Sequence, residues 1–229
     1  MARSLLCVLS GAGISAESGI RTFRDSNGLW ENHRVEDVAS PEGWKANPSL
    51  VLDFYNKRRA QLLSCQPNPA HYALASLEKI MDVVVITQNV DDLHERAGST
   101  QVIHLHGELR KVRSTVEEEI VYSWDTDLKW GDCCEKGHQL RPHIVWFGEQ
   151  VPELSRAIPY FIKADYLAII GTSLLVYPAA GLIHYCRPQT KKYYVDLHAD
   201  QIPSMQNLQV FQTTASDGVQ QMIQSLTEK

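Results

Sequence analysis

The sequence predicts an α/β fold, a Rossmann-like doubly wound parallel sheet with a smaller module built from two insertions. Three observations carry this. Short apolar runs recur at residues 4–10 (SLLCVLS), 83–87 (VVVIT), 102–106 (VIHLH), 144–147 (IVWF), 166–170 (YLAII), 193–197 (YYVDL) and 208–211 (LQVF), the length of strands buried in a parallel sheet. Segments with helical spacing fall between several of them. The first run ends on glycines, where a strand would turn into a helix.

The elements follow in order. Residues 69–81 place Leu74, Leu77 and Ile80 at helical spacing, and residues 218–226 do the same with Val219, Met222, Ile223 and Leu226. Asn47-Pro48 opens a further helix, with Asn as cap and Pro in its first turn. Leu50, Val51, Phe54 and Leu62 form its buried stripe, Tyr55 and Arg58 share another face, and Arg59 points elsewhere on the helix, which makes it an internal control for Arg58. Two stretches break the alternation. Residues 21–68 show polar loop and helix but no strand pattern, and residues 110–141 are rich in charge and aromatics. These two are assigned to the small module, and residues 1–20, 69–109 and 142–229 to the sheet core.

Composition narrows the function. The 229 residues carry 22 Lys+Arg against 27 Asp+Glu, a net charge of −5, with 44% hydrophobic and 21% charged residues. That is an ordinary folded protein rather than a disordered one, and it lacks the basic footprint of a nucleic-acid binder. No apolar run reaches the ~18 residues that span a bilayer, and the amino terminus does not resemble a secretory signal. Five cysteines, three of them isolated (Cys7, Cys65, Cys186), argue against a disulfide framework and for a reducing cytoplasm. A monomer without nucleic-acid or membrane partners is expected.

Sheets of this kind bind ligands beyond the carboxyl ends of their strands. Gly11-Ala12-Gly13-Ile14-Ser15 follows the first strand, where glycine lets a phosphate approach backbone N–H groups. A dehydrogenase would place an acidic residue about 20 positions later at the tip of a second strand. Glu31, Glu36 and Asp37 lie at that distance without a strand before them, which disfavours hydride transfer. Gln88, Asn89 and Asp91 follow VVVIT, and an amide with a carboxylate can satisfy both ends of a carboxamide, although the same residues also make simple turns. His104 and His106 alternate on one face of VIHLH. Gly171-Thr172-Ser173 closes YLAII with donors suited to phosphate or ribose, and Asp196 ends the next strand.

Five ordered motifs, GAGISAESGIRTFR (11–24), TQNVDDLH (87–94), HLHGEL (104–109), WFGE (146–149) and GTSLLVYPAAG (171–181), together resemble the sirtuins, NAD-dependent protein deacylases, and in particular their bacterial class III. The resemblance runs from Cys7 to about Gly218 and implies a single catalytic domain over the whole chain. It implies that NAD is held by Gly11, Ala12, Gly13, Ser15, Gly19, Thr22, Phe23, Arg24, Trp30, Gln88, Asn89, Val90, Asp91, Gly171, Thr172, Ser173, Asp196, Leu197, His198 and Ala215. It makes His106 the general base, with Asn89 and Asp91 catalytic beside it. His104, without a motif role, is the natural control.

The implied reaction releases nicotinamide and transfers the lysine acyl group (acetyl, succinyl or malonyl) to ADP-ribose, leaving free lysine. Acyl-lysine proteins are the implied partners, their backbone lying along Val145, Trp146, Phe147 and Gly148. Tyr55 and Arg58 look like the class III pair that grips an acyl carboxylate. Two positions depart from the common pattern: Asp196 stands where sirtuins usually carry Asn, and Arg21 where many carry Pro. Most sirtuins also hold a structural zinc on two cysteine pairs. Here the early pair is missing, Ser114 standing at its first position, and Cys133, Cys134 and His138 are an incomplete set. No metal is therefore expected, with Tyr122, Trp124 and Trp130 stabilising the module by packing. Two rival functions use the same pocket: a protein ADP-ribosyltransferase, and a silent NAD or ADP-ribose-binding module.

Overall fold

The computed structural model describes residues 3–21, 29–30, 33–199, 202 and 204–227. Chain order gives β1 (Leu5–Ser10), α1 (Ala12–Ser15), β2 (Leu29–Trp30), β3 (His33–Arg34), α2 (Val35–Val38), α3 (Pro41–Ala46), α4 (Pro48–Ser64) and α5 (Pro69–Leu77). Then come β4 (Asp82–Thr87), α6 (Leu93–Arg96), β5 (Val102–His104), β6 (Gly107–Ser114), β7 (Val121–Ser123), β8 (Leu140–Ile144) and α7 (Leu154–Lys163). The chain closes with β9 (Tyr166–Ile170), β10 (Lys191–Val195), β11 (Leu208–Phe211) and α8 (Ala215–Thr227).

Six strands form one parallel sheet in the order β11-β10-β9-β1-β4-β5. Alternation along each strand divides its side chains between two faces. Cys7, Leu9, Val84, Ile86, Leu167 and Ile169 pack against Ala157 and Phe161 of α7. Leu6, Val8, Val83, Val85, Ala168 and Ile170 pack against Leu74 of α5 and Val219 and Met222 of α8. Both faces are covered, which is why these strands read as unbroken apolar runs.

The second sheet, β7-β6-β8, is antiparallel. Three expectations change here. Residues 107–109 and 142–144 belong to this sheet, a few residues beyond the limits read from sequence. The run 144–147 is not a core strand: Ile144 ends β8, and Trp146 is buried among Val51, Phe54, Tyr55 and Leu93 instead. Residues 21–68 do contain strand, the two-residue pair β2 and β3, too short for any periodic signal.

α4 begins as expected, with the Asn47 side chain accepting from Leu50 N at 3.1 Å and Pro48 in the first turn. Its burial is wider than one stripe. Val51, Phe54, Tyr55 and Leu62 face one cluster, with Leu50 at its edge, while Leu52 faces another with Val112, Leu128, Cys134 and Leu140. Arg59 lies on that second side, one and two turns from Asn56 and Leu52. It is 1% exposed, so it is not the uninvolved control expected of it. Its guanidinium donates to Leu109 O at 3.0 Å, Asn56 Oδ1 at 2.8 Å and Thr126 O at 3.2 Å, tying the helix to β6 and to the loop beyond β7.

At the position where the resemblance implies the first zinc cysteine, Ser114 caps the turn after β6, its Oγ accepting from Val116 N and Glu117 N at 3.2 Å. Its side chain also hydrogen-bonds the Cys134 thiol. Cys133 is exposed and Cys134 buried, and among the described residues no group of three His, Cys, Asp or Glu converges as a metal site. Tyr122 and Trp124 pack on the Cys134 cluster. Trp130 does not do the work expected of it: it is 64% exposed, touching Trp44 with ring centroids 6.2 Å apart.

Replacing Arg59 by Met strands the Leu109 and Thr126 carbonyls in the interior. The variant is expected to lose about 2–4 kcal/mol, read as a lowered urea midpoint with an unchanged slope. A midpoint equal to wild type would show those carbonyls to be otherwise satisfied.

Candidate active site

From β1 the chain runs outward through β4 to β5 and later returns to β9, β10 and β11 on the other flank. The order reverses between β1 and β9, the point where such sheets open a crevice at their carboxyl ends. Two loops meet there. Gly11 N donates to Ile170 O at 3.0 Å, Gly13 N to Gly171 O at 2.8 Å, and Gly171 N to Val195 O at 2.8 Å. A Cβ on Gly13 would stand 2.6 Å from Gly171 Cα, and Gly171 itself holds φ +61 with its missing Cβ aimed at the Gly13–Ile14 backbone. The glycines therefore serve loop-on-loop packing first; they let two backbones close over the switch point. α1 is a single turn.

The floor of the crevice is a buried polar network. Ser15 Oγ donates to Asp91 Oδ2 at 3.0 Å and accepts from Asn89 Nδ2 at 3.1 Å. Asp91 Oδ1 accepts from Leu93 N at 3.2 Å. Burial pushes the Asp91 carboxyl up to about 6, although the hydrogen bonds from Leu93 and Ser15 oppose the shift. Gln88 Nε2 donates to Thr172 Oγ1 at 2.9 Å, bridging the ends of β4 and β9.

His106 faces the same space. Its Nδ1 lies 3.0 Å from Gln88 O; a carbonyl only accepts, so Nδ1 carries the proton and Nε2 keeps the lone pair. Burial holds its pKa below the ordinary histidine value, so the ring is a neutral base. His104 instead turns to Asn89 O at 3.1 Å and Glu95 Oε1 at 2.7 Å.

Around this floor, a cleft of about 500 Å³ is lined by residues from both sheets and from α4. Tyr55 and Arg58 line it together. The Tyr55 hydroxyl accepts from Trp146 Nε1 at 3.0 Å, and the Arg58 guanidinium lies over the Phe54 ring at 5.2 Å. The segment after β8 forms one wall, but several of its N–H groups are already engaged: Val145 to His106 O at 2.9 Å, Trp146 to Glu149 Oε2 at 2.8 Å and Phe147 to Ala39 O at 3.0 Å.

Residues 11–178 match the model described as the Sir2 family. The chain belongs to the Sir2 family. An NAD-dependent protein deacylase of Helicobacter pylori is 55% identical over 223 residues, covering 97% of each chain. One of Bacteroides thetaiotaomicron is 51% identical over 227 residues, covering 96% of this chain and 97% of the relative. Among solved structures, a Sir2 homologue in complex with NAD superposes with a TM-score of 0.88 at 37% identity, covering 98% of this chain and 90% of the other. A Sir2–p53 peptide–NAD+ structure gives 0.81 at 30% identity, covering 97% and 93%.

This sirtuin brings most of the expected residues to one cleft. Gly11, Ala12, Gly13, Gln88, Asn89, Val90, Asp91, His106, Gly171, Thr172, Ser173, Asp196, Leu197, His198 and Ala215 line it, as do Val145, Trp146, Phe147 and Gly148. Ser15 lies buried beneath the surface, and Gly19, in the turn closing the short helix, is not in the lining. Thr22, Phe23 and Arg24 lie outside the described residues, as does the Trp30 side chain. Sequence reasoning missed Glu17, Ile20, Thr213, Thr214 and the 176–178 turn. Glu17 lies within the 11–24 motif but was assigned no role there; its Oε2 accepts from Ser216 N at 2.9 Å and ties the first loop to the start of α8.

A methyl group at Gly171 meets both an unfavourable φ and the Gly13 backbone. Gly171→Ala is expected to cost at least about 2 kcal/mol, measured by chemical denaturation. A neutral result would mean that the two loops can separate without loss.

Proposed function

We propose that this sirtuin removes succinyl groups from protein lysine at least as readily as acetyl, with malonyl also a substrate, His106 as general base and Asn89 and Asp91 on the nicotinamide side. The broader activity rests on kinship: the chain is an NAD-dependent protein deacylase, as the relatives sharing half its residues are. The finer reading rests on one observation, that Tyr55 and Arg58 line the same cleft as His106.

The residues fit NAD. Gly11 and Gly171 leave no room for side chains where the two loops close, Thr172, Ser173 and Asp196 offer ribose and phosphate partners, and Asn89 with Asp91 offers an amide and a carboxylate. Bound NAD supplies an electrophilic sugar carbon and nicotinamide as a good leaving group. Asp91, with both oxygens accepting, orients Ser15, which in turn fixes the Asn89 amide. Asp196 Oδ1 accepts from His198 N at 2.9 Å, which sets its carboxylate at the end of β10. A carboxylate can accept from a ribose hydroxyl as an Asn oxygen does, so the departure at this position is compatible with binding. His106, neutral and held by Gln88, offers Nε2 to take a hydroxyl proton as the acyl group moves from lysine to the ribose. Arg58 supplies a planar cation for an acyl carboxylate, and Tyr55, set by Trp146, supplies the phenol beside it.

His106→Ala is expected to lower kcat by about 10²–10⁴-fold while NAD still binds by calorimetry. The wild-type rate should be level above neutrality and fall as pH drops through about 6, where Asp91 takes up a proton. His106, depressed from its usual value, protonates on the same acid side, so both groups act with the same sign: active when deprotonated, inactive when protonated. A rate that rises on acidification would reject both roles.

Arg58→Met should reduce kcat/KM for a succinyl peptide by about 100-fold, the order of a lost buried charge pair. The matched acetyl peptide should stay within about twofold. Buried Arg59 cannot serve as the control. Lys57, with 66% of its side chain exposed and paired to Asp53, can, and Lys57→Met should change neither activity. Equal losses on both peptides for Arg58→Met would assign Arg58 to the NAD site or the fold and end the specificity reading.

A further inference from the structure

His104 and His106 stand two residues apart and differ in the number of protons their partners demand. His106 meets a single carbonyl. His104, 9% exposed, meets two groups: its Nδ1 is 3.1 Å from Asn89 O and its Nε2 is 2.7 Å from Glu95 Oε1. A carbonyl oxygen and an ionised carboxylate can only accept. Both ring nitrogens must then donate, which only an imidazolium can do. Glu95 keeps 40% of its side chain in solvent, so it can stay ionised. Burial opposes its charge, but the bond to His104 prevails and holds its carboxyl below the ordinary value. Burial likewise opposes the charge on His104, and the Glu95 bond and charge outweigh it.

The charge sits behind the nicotinamide-side residues. The Asn89 peptide is held at both ends, its N–H donating to Thr87 Oγ1 at 3.0 Å and its carbonyl accepting from His104. The Asn89 side chain reaches Ser15, and Ser15 reaches Asp91. Asp91 uses both oxygens as acceptors, from Ser15 and from Leu93 N, an arrangement that suits a carboxylate and not a carboxylic acid. His104 faces Asp91 electrostatically and favours its ionised form. The other groups facing this pair are Glu108, which favours the proton on His104, Lys111, which favours charge on Glu95, and His94 of α6 and His71 of α5, both of which burial keeps neutral.

We propose that His104 is a positioning residue: a buried imidazolium, secured by Glu95, that fixes the Asn89 peptide and keeps Asp91 ionised as the pH falls towards 6. The kinetic part of this rests on Asn89 and Asp91 being the nicotinamide-side residues; the protonation state does not. With the charge removed, Asp91 titrates higher and the acid limb of activity moves towards neutrality.

Glu95→Gln separates charge from hydrogen bond. The new amide can donate to a neutral Nε2, leaving Nδ1–H on Asn89 O. His104→Gln removes the charge and the ring together. Imidazole ¹⁵N spectra of the free protein at pH 7.5 should show His104 doubly protonated in wild type and neutral in Glu95→Gln. The Asp91 carboxyl ¹³C titration should move up by about one pH unit in both variants, and the acid limb of kcat/KM for NAD should move with it. At pH 8.5, Glu95→Gln should stay within about twofold of wild type. A neutral His104 in wild type at pH 7.5 overturns the proposal whatever the kinetics. So does an unmoved Asp91 titration in both variants, the result of a purely structural role even if melting temperatures fall. A moved Asp91 titration with an unmoved activity limb leaves the imidazolium standing and removes Asp91 from the reaction.

Discussion

The contact on which the site depends is made by backbone alone. Gly13 N reaches Gly171 O at 2.8 Å across the gap between β1 and β9, at a separation that a Cβ on either glycine would prevent. A parallel sheet leaves its strand ends unpaired, and those ends must find partners or water. Here they find one another. Gln88 N takes Ser10 O at 2.9 Å, Gly11 N takes Ile170 O at 3.0 Å and Gly171 N takes Val195 O at 2.8 Å, so four neighbouring strands are stitched together just past their last ladder bonds. The side chains that follow each strand thereby enter one cleft in fixed register.

Beneath that seam lie hydroxyls where a hydrophobic core would ordinarily continue. Ser10 Oγ donates to Thr87 Oγ1 at 2.9 Å and lies 3.0 Å from His94 Nε2, and Thr87 Oγ1 accepts from Asn89 N. Small β-compatible hydroxyls at strand ends suit this layer, since they fit the pleat while passing hydrogen bonds from the sheet to the loop. The network sets orientations more than stability. Burial drives Asp91 up to about 6, so its charge is maintained against a desolvation cost, and the surrounding donors offset that cost only in part.

How far the sequence could be read follows from these forces. The parallel strands were legible because burial on both faces leaves continuous apolar runs, and YLAII and LQVF lie within the bounds read for them. β6 was hidden: GELRKVRS alternates charge with apolar side chains, as a sheet with one wetter face does. Arg59 failed as an uninvolved control because this helix is buried on two sides at that position, and a lone arginine in sequence carries no sign of the carbonyls that will receive it. At the site, motif residues could be assigned through resemblance, but their partners could not. Glu95 meets His104 only after folding, and Glu17 meets Ser216 across almost the entire chain.

The same limit applies to the wall of the cleft formed by Val145–Gly148. Trp146 is held from three directions: its indole N–H by Tyr55, its backbone N–H by Glu149, and its ring by the Arg141 guanidinium, 3.3 Å from the centroid. Glu149 in turn takes Arg141 Nη1 at 2.7 Å and Arg113 Nη2 at 3.4 Å. A half-buried carboxylate between two buried guanidiniums adds little net stability, because desolvation consumes most of the attraction. What it adds is direction. Arg113 belongs to β6, Arg141 to β8 and Tyr55 to α4, so a single carboxylate locks the orientation of a wall shared by the small sheet and the helix that carries Arg58. Tyr55 on the helix and the 145–148 segment are thus one mechanical unit, joined through Trp146, and a change on either side reaches the other without passing through the Gly13 and Gly171 loops.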